Sequence, residues 1–309
     1  MSSNEERRDA ARRKLEERLE SERRAARQRL LTLISVCSVA VLAAVAVGGY
    51  FYYRHWDDKR HTICEYTKAD NDLNKTIEVL EKQIASAPAD QKAQGEKYIE
   101  FMREGAKKVR SSPMPESRVL NTGTVDWTLT TNLGEIPVTL DRESAPCNVN
   151  AIVSLSNNNF YDNSECHRLA QSDQLHVLQC GDPTRTGAGS PGWSTVDENP
   201  TNLEVGEMNP QLMQMGMEPP AIYPRGTVAI ANRNDQQNGV VNTGSAQFFI
   251  VTKDTQLQPN LAVVGKVDDA GMKIVDKVVA GGIDPGPVGT AENGFPKTTL
   301  EIKSTSISE

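Results

Sequence analysis

From Leu30 to Tyr53 the chain reads LLTLISVCSVAVLAAVAVGGYFYY, without one charged residue. At about 1.5 Å rise per residue, a helix of that length crosses the roughly 30 Å hydrocarbon layer of a bilayer with room for tilt. Tyr50, Phe51, Tyr52, Tyr53 and Trp56 stand at its end, an aromatic cluster of the kind that sits at a membrane interface. Arg23, Arg24, Arg27 and Arg29 precede the run, whereas Arg54, Lys59 and Arg60 after it are offset by Asp57 and Asp58. That bias predicts a single-pass protein of the cell membrane, its N-terminus cytoplasmic and everything from residue 54 outside the cytoplasm. Ala44-Val45-Ala46 resembles a signal-peptide cleavage site, but the long charged stretch before the run and the apolar residues beyond that site favour an uncleaved anchor.

The anchor divides the rest. Residues 1–29 mix Arg and Glu at helical spacing, which predicts a solvated, charged cytoplasmic helix. After the span, 54–118 reads as an extracytoplasmic helical stalk or linker. Leu73, Ile77, Leu80 and Ile84 fall on one helical stripe that Ala87-Pro88 breaks, and Ile99, Met102, Ala106 and Val109 form a second stripe. The simplest expectation is a spacer, folded as a helical hairpin or a weak coiled coil.

From 119 to 309 the pattern is globular. Val125, Trp127 and Leu129 alternate on one face, a turn follows at Asn132-Leu133-Gly134-Glu135, and Ile136, Val138 and Leu140 alternate again, which predicts a β-hairpin. Short strands are expected at 167–180, 226–232, 246–252, 261–268 and 298–303, and helices at about 145–157 and 270–279. Many short strands with two helices predict a mainly β barrel or sandwich. The chain holds 41 acidic against 34 basic residues, and the excess of acids lies in this region. That excludes nucleic acid as the main partner, since phosphate binding needs clustered Lys and Arg.

Seven pieces of this region occur in an order that resembles a cyclophilin: the hairpin ending GEIPVTLDRESAP, Phe160-Tyr161-Asp162, Cys166-His167-Arg168-Leu169, Leu178-Gln179-Cys180-Gly181-Asp182, Gly226 to Asn232, Gln247-Phe248-Phe249-Ile250, and Val263-Val264-Gly265-Lys266-Val267. The variant CHRL…LQCGDP is most similar to the membrane-anchored extracytoplasmic cyclophilins of actinobacteria. The resemblance implies a closed eight-stranded β-barrel capped by two helices, and peptidyl-prolyl cis–trans isomerase activity on X-Pro bonds of exported proteins. It implies Arg168 and Gln179 as catalytic residues, and His176, Val177, Ala231, Asn232, Gln247, Phe249, Leu257 and Leu261 as the binding surface for proline-containing polypeptides. Such chemistry calls for no metal and no cofactor. His176 replaces an aromatic residue usual in the family, Gln256 a Trp, and Leu261 a His or Tyr. Those substitutions keep open an alternative, a catalytically weak or inactive cyclophilin-like peptide-binding or scaffolding module.

Cys37 lies in the span, and Cys64, Cys147, Cys166 and Cys180 remain outside it. Four cysteines in an oxidising location allow three connectivities. Cys166 with Cys180 is favoured because the two are expected on adjacent antiparallel strands, leaving Cys64 with Cys147, while buried free thiols remain the alternative. The glycine-rich segment 181–189 lacks the Lys-Ser/Thr of a phosphate loop and is read as a surface turn. Met208, Met213, Met215 and Met217 are read as a flexible insertion or an adaptable binding rim.

Overall fold

A computed structural model describes residues 2–214, 218–287 and 289–309, so Met215 and Met217 of the methionine-rich segment lie outside the described residues. The chain divides into two compact units, one ending at Lys59 and one covering Arg60–Glu309.

The first unit is one helix, α1 (Ser2–Lys59). No proline interrupts it, and Ala, Arg, Glu and Leu dominate its first half, all strong helix formers. Its apolar window has a mean hydropathy of 2.7 and is not buried inside the protein. Leu33, Val36, Val39, Leu42 and Val45 are all exposed. An apolar helix in that state is not the core helix of a soluble unit, and it is long enough to cross a membrane.

In the second unit, residues 60–117 are built onto the β-rich part. His61–Ile63 pairs with Arg118–Leu120, and Tyr66–Lys68 pairs with Trp193–Thr195. Between these pairings α2 (Leu73–Ala85) and α3 (Ala89–Ala106) form an antiparallel hairpin whose turn is broken at Pro88. The predicted stripes meet: Leu73, Ile77, Ile99 and Met102 are buried together, with Leu80, Ile84, Val109 and Ala188 packed against them. Gly95 allows that approach, because a Cβ there would lie 2.6 Å from Ile84 Cδ1. Arg110 donates through Nη1 to the carbonyls of Phe160 (3.0 Å) and Asp162, and Trp193 Nε1 donates to Ser112 O at 3.0 Å. A disulfide joins Cys64 to Cys147, with the Cα atoms 5.4 Å apart.

The main sheet curls around one core. Its strands run, edge to edge, Ile283–Asp284, Asn293–Pro296, Arg168–Gln171, His176–Cys180, Phe248–Val251, Thr227–Ile230, Val263–Val267, Gly134–Asp141, Thr124–Thr131, Glu301–Ser308 and Ser164–Glu165. The first hairpin turns tightly, with Thr131 opposite Gly134, and Gly134 adopts φ +127°, a conformation that costs other residues. Period-two alternation sends Val125, Trp127, Leu129, Ile136, Val138 and Leu140 inward. Trp127, Tyr161 and Phe248 pack with ring centroids 4.9–5.8 Å apart, and Tyr161 Oη donates to Ala246 O at 3.1 Å. Helix α4 (Pro146–Asn157) begins on a proline and buries Val149, Ile152 and Leu155 against this core. A short helix α5 (Pro210–Gln214) lies in the methionine-rich segment, and α6 (Asp269–Gly281), capped by Asp268, buries Met272, Val275 and Val278.

One expectation needs correction. Over the described chain helices hold more residues than strands, mainly because α1 alone is 58 residues long, so "mainly β" fits the curled sheet and not the protein. The curled sheet holds eleven paired segments, and residues 164–171 bond to two of its strands: Ser164–Glu165 pairs with Glu301–Ser308, Arg168–Gln171 with His176–Cys180. The change of partner falls between Cys166, whose N donates to Leu300 O (2.9 Å), and His167, whose N donates to Gln179 O (3.0 Å).

The Cys64–Cys147 crosslink spans 83 residues and ties the hairpin's root to α4. Replacing both cysteines by serine is expected to lower the opening free energy of α2 and α3 by about 2–4 kcal/mol, through restored freedom of the unfolded loop. Amide hydrogen exchange reads this directly: α2–α3 amides should lose protection while Phe248–Val251 keep theirs. Equal loss in both regions would contradict it.

Candidate functional site

The cleft forms where strand pairing brings distant residues into one row. Arg168 is directly opposite Gln179, Gln179 opposite Phe249, and Phe249 opposite Ala229. Alternation turns Leu169, Leu178, Phe248 and Ile250 into the core and leaves Arg168, Gln179 and Phe249 on the other face. A cleft of about 600 Å³ opens over that face.

A chain of side-chain hydrogen bonds holds the polar half. Arg168 Nη1 donates to Gln179 Oε1 (3.2 Å) and Arg168 Nε to Asn293 Oδ1 (2.9 Å). Gln179 Nε2 then donates to Gln247 Oε1 (2.9 Å), and Gln247 Nε2 to the carbonyls of Gly187 and Gly189 (3.0 Å each). The guanidinium is fixed on two edges, and among the described residues no carboxylate pairs with it. Burial pulls the Arg168 pKa below its ordinary value.

The apolar half consists of Leu175, Val177, Phe249, Leu257 and Leu261, with Ala231 at the margin. Tyr223 Oη, 3.1 Å from Gln258 O and 3.2 Å from Leu261 O, fixes the loop that carries Leu261. Asn232, which lines the cleft, donates through Nδ2 to Asn260 O at 2.7 Å, which ties down its side chain. Arg185 and Arg233 also line the cleft, and no Asp or Glu does among the described residues.

Of the residues predicted for the site, the structure gathers Arg168, Gln179, Val177, Ala231, Asn232, Phe249, Leu257 and Leu261 around this cleft. Gln247 stands one step behind, supporting Gln179. His176 is not among the lining residues: it alternates to the opposite face, and Leu175 on the preceding loop fills the wall instead. Gln256 also lies away from the cleft, against Gly206. The 181–189 segment is not a surface turn. Asp182 is buried and accepts from Thr184 N (2.8 Å) and Gly189 N (3.1 Å), which presents the Gly187 and Gly189 carbonyls to Gln247. Asn293, Arg185 and Phe295 were not foreseen, because their roles depend on the pairing of Asn293–Pro296 with Arg168–Gln171 across a long stretch of chain. Nor were Tyr98 and Phe101 of α3, which line the same cleft.

Below this row a second disulfide joins Cys166 to Cys180. At the far side of the unit, Glu198 accepts from Cys147 N (3.0 Å), Asn148 N (2.9 Å) and Asn148 Nδ2 (2.7 Å) at the start of α4. Burial raises the Glu198 pKa, and these hydrogen bonds oppose the rise.

Comparison with known proteins covers the same region. The family model described as cyclophilin type peptidyl-prolyl cis-trans isomerase/CLD matches residues 126–307. A Mycobacterium leprae protein named "Probable peptidyl-prolyl cis-trans isomerase B" is 39% identical over 181 residues, 59% of this chain and 56% of that relative. A Mycobacterium tuberculosis protein of the same name is 38% identical over 180 residues, 58% of this chain and 53% of its own length. The chain thus matches about half the length of these curated relatives. A crystal structure of a Cryptosporidium parvum cyclophilin type peptidyl-prolyl cis-trans isomerase aligns with a TM-score of 0.42 at 21% identity, over 60% of this chain and 99% of that one.

His167, buried beneath the cleft, offers a pH readout. Burial lowers its pKa from 6.5 to about 4, partly opposed by the charge of Asp182. The unfolded histidine takes up a proton as pH falls through about 6.5, and the folded one only near 4, so its contribution to stability is intact above the first value and lost toward the second. Urea midpoints measured from pH 7.5 to 4.5 should therefore fall more steeply for the natural protein than for His167→Gln. Parallel curves would show that another group controls acid stability.

Proposed function

The chain belongs to the cyclophilin-type peptidyl-prolyl cis-trans isomerases, and from that premise we propose that it catalyses rotation about X-Pro bonds, with Arg168 as the central catalytic residue. Rotation about a peptide bond costs about 18–20 kcal/mol because the nitrogen lone pair conjugates with the carbonyl. The two isomers of an X-Pro bond differ by only about 0.5–1 kcal/mol, so a catalyst need only stabilise the twisted state. In that state the lone pair is localised on the prolyl nitrogen and accepts a hydrogen bond, which the planar amide does not. A guanidinium N–H already held in place supplies it without reorganisation.

The observation that carries this reading is the double support of Arg168 by Gln179 and Asn293 at the edge of an apolar pocket. Phe249, Val177, Leu257 and Leu261 hold the proline ring, and the carbonyl side of the bond rotates above Gln179. With its side chain bound to Asn260, Asn232 meets the extended peptide through main-chain groups, and Gln247, which braces Gln179 and lines the adjoining hollow, adds an amide contact. Leu261 leaves the pocket without one aromatic wall, so proline is gripped by fewer contacts than an aromatic residue would provide.

The same reading places the reaction outside the cytoplasm. The exposed, uncharged 30–53 segment of α1 supports a membrane anchor, and two disulfides in the Arg60–Glu309 unit support an oxidising compartment for it. The arginines before the span support a cytoplasmic N-terminus. The substrates are then exported polypeptides that still carry the wrong prolyl isomer.

Two experiments test this. On a short X-Pro peptide, the full chain in detergent should accelerate isomerisation, and Arg168→Ala should cut kcat/KM at least about tenfold, or about 1.4 kcal/mol of transition-state stabilisation, with the fold retained. Peptide binding without any acceleration would instead make the chain a proline-peptide binding module. Protease added to intact, wall-stripped cells should digest residues 60–309 and spare the first 29. Digestion only after the membrane is broken would reverse the topology.

A further inference from the structure

The cleft has a second apolar end, and the segment that builds it lies outside the part of the chain matched by the isomerase family model. Tyr98 and Phe101 of α3 line the same cleft as Arg168, while the family match begins at residue 126. Their rings stack with centroids 6.4 Å apart, and Phe101 meets Phe295 edge-on at 5.5 Å. Phe295 follows Asn293 and Gly294 on the strand that flanks Arg168, so the aromatic group continues directly from the residue that supports the guanidinium. Both α3 rings are half-buried, and the cleft keeps its volume between them and the proline end.

From this placement we infer that the α2–α3 hairpin is part of the substrate site: Tyr98 and Phe101, backed by Phe295, form a subsite for a bulky apolar side chain next to the proline. The inference rests on the reading that a proline-containing peptide occupies the cleft. Four features make it a built wall. Gly105 of α3 sits so close to the 184–186 segment that a Cβ would overlap the Thr186 side chain and come within 2.9 Å of Thr184 O. Gln94 Nε2 donates to Pro287 O at 3.4 Å, and Arg185 lies over the Phe295 ring, 5.5 Å from its centroid. The Cys64–Cys147 bond anchors the hairpin's root.

The chemistry of the wall selects its occupant. Aromatic faces in offset or edge-on geometry reward another ring or a branched aliphatic chain with contact area and little loss of freedom. Arg168 and Arg233, with no carboxylate among the described lining residues, repel a lysine or arginine there, whereas the charge of Arg185 is offset by Glu165 at 3.2 Å. The hairpin thus sets which X-Pro sites the cleft prefers, a property the catalytic row alone does not encode.

The test is equilibrium binding of fluorescein-labelled peptides to the full chain in detergent, read by anisotropy. The peptides hold one proline in an alanine background, with Ala, Phe or Lys at each of the two positions flanking it. At one flanking position Phe should bind about fivefold tighter than Ala, and Lys about threefold weaker. Tyr98→Ala combined with Phe101→Ala should bring the Phe peptide to the Ala value. Tyr98→Ala alone, which leaves the Phe101–Phe295 contact in place, should remove part of the preference should the double variant fail to fold. No preference in the natural chain, no measurable peptide binding, or a preference that survives both variants overturns the subsite. Isomerisation is followed in parallel. A binding preference that depends on Tyr98 and Phe101 without rate acceleration overturns the isomerase reading and leaves the subsite standing.

Discussion

The cross-strand hydrogen bond from Arg168 to Gln179 is where the fold becomes chemistry. It exists because Arg168–Gln171 and His176–Cys180 pair in one register, with residue 168 opposite 179. A one-residue slip of either strand would turn its polar side chain, Arg168 or Gln179, into the core and expose Leu169 or Leu178. The buried apolar residues on the inner face therefore hold the polar ones in place on the outer face, and Gln247, Gly187 and Gly189 extend the arrangement into a loop that is itself pinned by Asp182. Removing one partner leaves a half-buried amide unsatisfied, at a cost of about 1–3 kcal/mol.

The second constraint is the attachment of residues 60–117. As free helices, α2 and α3 would be marginal in water, because each is short and has one apolar stripe. Together they bury Leu73, Ile77, Ile99 and Met102, and the disulfide, two short strand pairings and the Arg110 contacts fasten them to the sheet. The hairpin is thereby given a fixed position from which Tyr98, itself packed against the hairpin core, and Phe101 reach the cleft.

Much of this was legible in the sequence wherever the signal was local. The 30–53 run, the alternation in Val125–Leu140, the helical spacing in α4 and α6 and the stripes of α2 and α3 all follow from periodicity within a few turns of chain. Ordered motifs located Arg168, Gln179 and Phe249. What escaped was non-local: Asn293 reaches Arg168 only because its strand pairs beside Arg168–Gln171, and nothing in 90–106 signals that α3 meets Phe295. His176 was misjudged for a local reason. The loop after Arg168–Gln171 shifts the wall to Leu175, and alternation then turns His176 away. The change of strand partner between Cys166 and His167 is likewise announced by no residue pattern.

The hairpin's placement also fixes an order of events in making the protein. Residues 60–117 leave the ribosome ahead of the rest of their unit, yet their partners come late: Cys147, the 182–193 loop, and finally Pro287 and Phe295, the last two about 193 residues after the helix they touch. Contacts of such separation form slowly, because the chain between must be ordered before they are rewarded. The Arg60–Glu309 unit therefore cannot mature from its N-terminus forward. Its α2 and α3 can cover each other's apolar stripes at once, but Phe101 meets Phe295 only when nearly the whole chain has been synthesised, so the aromatic wall of the cleft is among the last parts to assemble.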